Sequence, residues 1–269
     1  ANVADADLFI GVTAAEAVNL TACYLAKQLG AKKTIARISN PELKENDNID
    51  FSELGISELI SPEILTSKEI NMAINRAEFT DPFEFEGGAL ITLGLSATHT
   101  STFVGKTVVE AAEIFPETHF FPISIKRDEK TIIPRGDTVF HSGDHIVFMT
   151  EPGGEEELLK LSGQNNGVIK NVMILGGGRV GKKVAQDLSS NNFNVKLVEI
   201  DKDRAEELAE DLENCLVIYG DGTNTELLDE ESLDQMDSFI AVTGDSEDNI
   251  MSSLIAKSKG INKTIALVD

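Results

Sequence analysis

The last hundred residues of the chain alternate short apolar runs with amphipathic stretches. Runs that are apolar on both faces are typical of strands in a parallel sheet, and the stretches between them show helical spacing. The predicted strands are VMIL (172–175), KLVEI (196–200), CLVIY (215–219), FIAVT (239–243) and TIALV (264–268), and the predicted helices cover 179–190, 202–212, about 224–229 and 247–259. This pattern predicts an α/β fold, a Rossmann-like parallel sheet with helices on both sides.

The beginning of the chain repeats part of that pattern. Its predicted elements are strands at 8–12, 34–38 and near 58–60, helices at 16–29 and near 50–55, and a connecting helix at 62–76. Gly30 is a stop signal for the first helix, and Pro62 suits the first turn of the connecting helix. We therefore expect a second, partial sheet of the same type.

The middle of the chain has a different character, rich in phenylalanine and in turn residues. ALITLGL and HFFPISIKR are predicted strands with a helix, KTVVEAAEIF, between them. TIIPRGDTVFHSGDHIVFMT predicts a strand, a turn and two strands of a meander, and EEELLKL predicts a closing helix. The region 80–161 is thus predicted to be a small α+β domain, and the polar segment at 162–168 is predicted to be a linker.

A long internal repeat links the two ends of the chain. Residues 7–38 match residues 237–268 without a gap, and 13 of the 32 paired residues are identical. A shared strand–helix–strand shape does not produce that many identities by chance, so the pattern indicates a duplication. We expect the chain to be a segment of a longer two-fold repeat. The predicted domains are 1–76, the C-terminal half of a first Rossmann domain with its connecting helix; 77–162, the α+β domain; and 163–269, a second Rossmann domain without its last elements.

Composition narrows the class of protein. Asp and Glu outnumber Lys and Arg by 46 to 23, which gives a net charge of −23, and such a surface repels nucleic-acid backbones. No apolar run approaches the roughly 18 residues of a membrane-spanning helix, so we expect a cytoplasmic protein that does not insert into the membrane. The two cysteines are far apart and the four histidines form no ligand pair, which predicts free thiols and no metal site.

A glycine-rich loop carries the clearest chemical signal. It follows a predicted strand and opens a predicted helix, the context in which GxGxxG binds the pyrophosphate of a dinucleotide. The loop consists of Gly176, Gly177, Gly178, Arg179, Val180 and Gly181. Glu199 ends the next strand, where an acid accepts the hydroxyls of an adenosine ribose and disfavours the 2′-phosphate of NADP. A glycine turn without a ligand is the alternative.

Two further strand ends face the same crevice in such a fold. After the third strand, Asp221 and Thr223 are candidates for contacts on the adenine side. After the fourth, the Thr243 hydroxyl is a candidate for a phosphate contact, beside Gly244. Helix capping is the alternative role for these residues, and it stays open for Asp221 and Thr223 in particular.

No catalytic group is evident around the predicted nucleotide. Residues 171–269 contain no histidine and no YxxxK arrangement, whereas a dehydrogenase needs a proton-handling side chain beside the nicotinamide. We predict that the nucleotide is sensed and that the chain is not an enzyme. An NAD-dependent oxidoreductase and a stand-alone adenine-nucleotide sensor are the alternatives.

The order of these motifs resembles a known family. The RVG glycine loop, the acid at Glu199, YGDGT and FIAVT resemble the RCK (KTN) N-terminal domain. Region 80–161, with its GKT helix start and its PRGD and SGD turns, resembles the RCK C-terminal domain. A tandem of two such units is similar to the TrkA-type regulatory subunits of Trk potassium uptake systems.

That resemblance implies a function and a set of partners. It implies a subunit at the inner face of the plasma membrane that binds NAD(H), alternatively ATP or ADP, and gates an integral membrane potassium transporter subunit of the TrkH or TrkG kind. It also implies a homo-oligomer, which would cover the strand edge left open in residues 1–61. The family motif places Thr13 and Arg37 in a first nucleotide site, which is incomplete here because its glycine loop is missing from the sequence. In the second repeat, Leu267 occupies the position of Arg37.

Overall fold

The computed structural model describes residues 2–45, 49–77, 79–114, 120–163 and 169–268. The chain divides into two compact units, one made of residues 1–71 and 170–269 and the other of residues 72–169. The first unit contains two separate parallel sheets, and the second contains an antiparallel sheet.

The first sheet is small and parallel. It consists of β1 (Leu8–Gly11), β2 (Lys33–Arg37) and β3 (Glu58–Ile60), in the order β1-β2-β3, with helices α1 (Glu16–Gln28) and α2 (Pro41–Glu45) in the connections. Its core gathers Cys23, Ala36, Ile38, Ile56 and Leu59. Helix α3 (Pro62–Asn75) follows, as the proline and the apolar spacing predicted.

The helix predicted near 50–55 is wrong. The Asp50 carboxylate accepts hydrogen bonds from the backbone N–H of Ser52 (2.8 Å) and from its hydroxyl (2.6 Å), so the segment forms a turn stabilised by a side chain. Gly55 then takes a φ of +77°, which ends any helical path. The short helix α2, which the sequence analysis did not assign, lies before this turn.

The second unit is an antiparallel sheet with two helices. Its elements are β4 (Thr80–Phe85), β5 (Leu90–Ser96), α4 (Val108–Ile114), β6 (Phe120–Arg127), β7 (Lys130–Ile132), β8 (His145–Thr150) and α5 (Glu155–Ser162). The strand order is β4-β5-β8-β6-β7. Inward-facing Ile91, Leu93, Leu95, Ile146 and Phe148 form the core of this unit. The predicted α+β class is therefore confirmed.

Two details of this unit differ from the prediction. Strand β4 was not predicted, because Pro82 argues against a strand in the sequence. The structure shows why it is tolerated: β4 is an edge strand with a bulge, where Asp81 takes a positive φ of 50°. One of the two strands predicted after the PRGD turn is reduced to an isolated bridge between Thr107 and Val139. The predicted linker at 162–168 lies mostly outside the described residues, and α5 extends into it through Ser162.

The second parallel sheet completes the first unit. It is built from β9 (Asn171–Leu175), α6 (Arg179–Ser190), β10 (Asn194–Glu199), α7 (Lys202–Asp211), β11 (Cys215–Tyr219), α8 (Thr225–Glu230), β12 (Ser238–Ala241), α9 (Ser246–Ser258) and β13 (Lys263–Ala266). The strand order is β11-β10-β9-β12-β13. This is the predicted Rossmann-like sheet, with every element within two residues of its predicted bounds.

The first strand of the repeat, β1 in one copy and β12 in the other, has different neighbours in the two sheets. Strand β12 lies between β9 and β13, whereas its counterpart β1 pairs only with β2 among the described residues. Ile240 is consequently 0% exposed and its counterpart Ile10 is 52% exposed. Among the described residues the two sheets remain separate, so no strand of β1–β3 extends the sheet of β9–β13.

Candidate functional site

The loop between β9 and α6 leaves no room for side chains on its inner side. Gly176 has a φ of +101°, and a Cβ atom on Gly181 would lie 1.8 Å from the carbonyl oxygen of Gly176. A Cβ atom on Gly177 would lie 2.3 Å from the Leu208 side chain. Backbone sterics therefore require glycine at Gly176 and Gly181, where the strand end and the helix start are in direct contact, whereas a side chain at Gly177 would displace the flexible end of Leu208.

Gly178 is different, because it faces open space. No atom lies within 4 Å of the place where its Cβ atom would be. It borders an open cavity of about 540 Å³. The lining residues are Glu63, Gly177, Gly178, Arg179, Val180, Lys182, Arg204, Glu207, Leu208, Val242, Thr243 and Gly244. The absence of a side chain at Gly178 thus lets a ligand approach the backbone, since the protein itself does not use that space.

Helix α6 starts in this cavity without a cap. Gly178 is its N-cap residue, no side chain accepts a hydrogen bond from its first turn, and that turn contains no acidic residue. The neighbouring helices α7, α8 and α9 are each capped by a side chain, namely Asp201, Asn224 and Asp245. Uncapped N–H groups and the helix dipole make the start of α6 the place in this sheet where an anion is stabilised.

Glu199 is 5% exposed and lies beneath the glycine loop. Its Oε2 atom accepts a hydrogen bond from the N–H of Gly177 (2.8 Å), and its Oε1 atom accepts one from the N–H of Asp201 (2.9 Å). The carboxylate therefore ties the loop to the end of β10. Each of its oxygens has a second lone pair that could accept a ribose hydroxyl, although Glu199 is not one of the residues that line the cavity of about 540 Å³.

The end of β12 forms the opposite wall. Thr243 and Gly244 line the cavity, and a Cβ atom on Gly176 would lie 3.0 Å from the Cα atom of Thr243. The Thr243 hydroxyl donates to Oδ1 of Asn249 (2.7 Å) and accepts from the N–H of Asp245 (3.2 Å). The hydroxyl that was predicted to reach a phosphate is thus already engaged as a donor within its own loop.

Asp221 and Thr223 bond to each other. The Asp221 carboxylate accepts from the N–H (2.9 Å) and the hydroxyl (2.7 Å) of Thr223, and these bonds lower the pKa of Asp221. Asn224 next to them caps α8 by accepting from the N–H of Glu226 (2.9 Å). Both side chains are exposed and neither lines the cavity of about 540 Å³. Their observed bonds are those of a turn, and the contact on the adenine side stays a prediction.

Three cationic side chains surround the cavity, and the motif search found only one of them. Arg179 belongs to the glycine motif, whereas Lys182 lies one turn further along α6 and Arg204 lies in the first turn of α7. The helical position of Lys182 relative to Arg179 was visible in the sequence. Glu63, at the start of α3, comes from the other end of the chain and could be found only from the tertiary structure.

The candidate residues of the first repeat occupy equivalent positions without a glycine loop. Thr13 follows β1 and Arg37 ends β2, and both are exposed. The Thr13 hydroxyl donates to Asn19 Oδ1 (2.7 Å), as Thr243 does to Asn249. Among the described residues, no strand carrying a glycine loop lies beside β1.

In the described part of the chain, no three His, Cys, Asp or Glu side chains are grouped in a way that could hold a metal ion. None of the helices in that part combines the length and the apolar composition needed to cross a membrane.

Comparison with protein families is consistent with this geometry. The family model of the TrkA-N domain matches residues 1–62 and 172–269, the two parallel sheets of the first unit. The chain belongs to the TrkA-N domain family. The model of the TrkA-C domain matches residues 95–163, within the antiparallel unit. One TrkA-C domain therefore lies between two matches to the TrkA-N domain.

Relatives match over nearly the whole chain. The Trk system potassium uptake protein TrkA of Haemophilus influenzae is 36% identical over 274 residues, which covers 100% of this chain and 59% of that protein. The Trk system potassium uptake protein TrkA homolog 2 of Methanosarcina mazei is 33% identical over 273 residues, which covers 98% of this chain and 60% of that protein. The chain thus spans about three fifths of the length of these relatives.

Solved structures share the fold of this TrkA-N and TrkA-C chain. The GsuK channel bound to NAD matches 98% of this chain with a TM-score of 0.64 and 20% identity, over 45% of its own length. The crystal structure of GsuK bound to ADP matches 98% of this chain with a TM-score of 0.51 and 13% identity, over 43% of its own length. At these identities the likeness establishes the fold alone.

Proposed function

We propose that this chain is a nucleotide-sensing regulatory module of a Trk-type potassium uptake system. The observation that carries the proposal is the uncapped start of α6 at Gly178, which opens into a cavity that no side chain fills. Backbone N–H groups and the cations Arg179 and Arg204 favour a pyrophosphate in this cavity. Lys182 also lines it but is paired with Asp211, and Glu63 and Glu207 are the acidic groups of the lining. Membership of the TrkA-N family and the potassium uptake proteins among the relatives supply the physiological context.

The ligand we propose is NAD(H), with ADP or ATP as the alternative. Its pyrophosphate would lie at Gly176–Gly181, and its adenosine ribose would donate to the free lone pairs of Glu199. The buried negative charge of Glu199 disfavours a 2′-phosphate, so NADP should bind less well. Relatives of the same fold have been solved with NAD and with ADP, which supports both ligand classes.

The bound nucleotide would act as a signal. The groups around the cavity bind phosphate and orient ribose, and no histidine lies in residues 171–269 to move a proton. We therefore propose a non-enzymatic role in which a cytoplasmic homo-oligomer at the inner face of the plasma membrane gates a TrkH- or TrkG-like potassium transporter subunit. The formal charge of −23 makes direct binding to anionic lipid or nucleic acid unfavourable.

The Gly178→Val variant tests the nucleotide site. Its backbone angles of φ −65° and ψ −172° suit a β-branched residue, and no protein atom lies within 4 Å of the new Cβ atom. We expect the far-UV circular dichroism to stay unchanged and the melting temperature to fall only slightly, because valine is a poorer N-cap residue than glycine. Affinity for NADH and ADP should fall by at least about tenfold, because the isopropyl group occupies the space that the pyrophosphate needs.

Gly178→Ala is the graded control, with a smaller loss expected from its single methyl group. NADH fluorescence gives the affinity of NADH, and competition gives that of ADP. Binding by Gly178→Val as tight as that of the parent would show that the site is misassigned. Reconstitution with the transporter subunit of the same organism tests regulation, since NADH or ADP should change potassium flux with the parent and not with Gly178→Val.

A further inference from the structure

One buried side chain holds the wall of the cavity that faces the glycine loop. Asn249 is 1% exposed and makes four hydrogen bonds. Its Oδ1 atom accepts from the N–H (2.9 Å) and the hydroxyl (2.7 Å) of Thr243. Its Nδ2 atom donates to the carbonyl oxygens of Thr243 (3.1 Å) and Leu267 (2.9 Å). A single amide group therefore joins the loop after β12 to the end of β13.

The first repeat contains the same arrangement. Asn19 is also 1% exposed. Its Oδ1 atom accepts from the N–H and the hydroxyl of Thr13, both at 2.7 Å. Its Nδ2 atom donates to the carbonyl oxygens of Thr13 (2.8 Å) and Arg37 (3.0 Å). The two clamps match bond for bond, although most other residues of helices α1 and α9 differ.

Among the described residues, the second clamp adjoins a glycine loop and the first does not. Thr243 and Gly244 line the cavity together with Gly177 and Gly178, and Thr243 lies so close to Gly176 that a Cβ atom there would be 3.0 Å from it. The position of the Thr243 loop therefore fixes the width of the cavity at the glycine loop. Buried amides that satisfy several backbone groups at once hold such loops rigidly, because each group would otherwise be left unpaired.

We propose that Asn249 is a positioning residue for nucleotide binding, which fixes the cavity wall at Thr243–Gly244 against the glycine loop. The inference rests on the nucleotide site proposed above. Asn249 is buried behind the wall and acts through Thr243, without touching the ligand. Its counterpart Asn19 performs the same structural task in a sheet without a glycine loop, so it affects stability and leaves nucleotide affinity unchanged.

Two matched substitutions test the proposal. Asn249→Asp and Asn19→Asp are isosteric, and each places a carboxylate oxygen against two carbonyl oxygens in place of the amide donor. Both variants should have a lower melting temperature. Only Asn249→Asp should also bind NADH and ADP more weakly, by about tenfold or more, measured at a temperature where circular dichroism shows both variants folded. The loss should be larger for ADP and NADH, which carry a pyrophosphate, than for AMP.

The outcomes separate this inference from the proposed function. If the parent binds no adenine nucleotide, the site itself is wrong, and the positioning role falls with it. If the parent binds and Gly178→Val does not, the site stands, and the Asn variants then decide the present inference. Equal affinities of Asn249→Asp and the parent, or equal losses in the two Asp variants, would overturn it. Should an Asp variant fail to fold, the comparison is made with Asn249→Ser and Asn19→Ser, which remove the amide without adding a charge.

Discussion

Loss of one partner of the ion pair between Arg127 and Asp144 should destabilise the antiparallel unit strongly. The guanidinium group donates from Nε to Oδ1 and from Nη2 to Oδ2, both at 2.7 Å, and the N–H of His141 donates to Oδ2 (2.9 Å). The Asp144 side chain is 1% exposed and that of Arg127 is 26% exposed. The substitution Asp144→Asn tests this pair, because it removes the negative charge of the side chain and keeps its shape.

The magnitude follows from burial and geometry. Removing one partner of a buried, hydrogen-bonded ion pair costs about 3–5 kcal/mol. Since water reaches part of Arg127, we expect the lower end, about 3 kcal/mol. Asp137 is the matched control, because it follows a glycine in the neighbouring PRGD turn but is exposed. Asp137→Asn should change the free energy of unfolding by less than about 0.5 kcal/mol.

The effect should also depend on pH. Burial opposes ionisation of Asp144, but the hydrogen bonds from Arg127 and His141 outweigh it and hold the pKa of the carboxyl below its usual value. The stabilisation is therefore fully present above the pKa of the unfolded chain, about 3.9, and is lost as the pH falls through the lower pKa of the folded state. The difference between the parent and Asp144→Asn should be constant from about pH 7 to pH 5 and shrink below about pH 4.

Urea unfolding monitored by far-UV circular dichroism measures this difference, because the chain contains no tryptophan. The transition that Asp144→Asn lowers is assigned to the antiparallel unit. A loss below about 1 kcal/mol at pH 7 would contradict the reasoning, because a buried charge left without its partner must cost more than a surface contact. An equal loss in Asp137→Asn, or a difference that persists unchanged at pH 3, would contradict it as well.

Two further predictions concern single side chains. Glu199→Ala should lower the affinity for NADH and reduce the preference for NADH over NADPH, because the ribose loses an acceptor and a repulsive charge disappears. An unchanged ratio of the two dissociation constants would mean that Glu199 serves only the Gly177 and Asp201 amides. Burial raises the pKa of Cys215 to about 11, so this thiol should react with Ellman's reagent at pH 8 about a hundredfold more slowly in the native protein than in urea. Burial also raises the pKa of Cys23, which should likewise react more slowly in the native protein, and rapid native labelling of either thiol would show that it is accessible.

The elements of the Rossmann-like sheet could be read directly from the sequence. Apolar runs such as VMIL and the helical spacing between them are local signals, and both sides of a central strand must be apolar when helices cover both faces. The glycine loop was predicted for the same reason, since Gly176 and Gly181 are needed by the backbone itself. The duplication was equally visible, because identities at a constant offset require no knowledge of contacts.

Two predictions based on local sequence were wrong or incomplete, for strand β4 and for the segment near 50–55. Strand β4 carries Pro82 and a positive φ at Asp81, which are acceptable only because it is an edge strand with a bulge. The helix expected near 50–55 is replaced by a turn because the Asp50 side chain competes for the backbone N–H of Ser52. Neither result follows from hydrophobic spacing.

Tertiary structure alone decided how the cavity is assembled. Glu63 reaches it from the other end of the chain, and Arg204 reaches it because α7 packs beside the glycine loop. The sequence marked Glu199 and Thr243 as polar groups at strand ends, but their hydrogen bonds to Gly177 and Asn249 depend on which strands are neighbours. The sequence thus specifies local conformation through each residue's own backbone and periodicity, whereas the partners of a polar group depend on the packing of elements far apart in the chain.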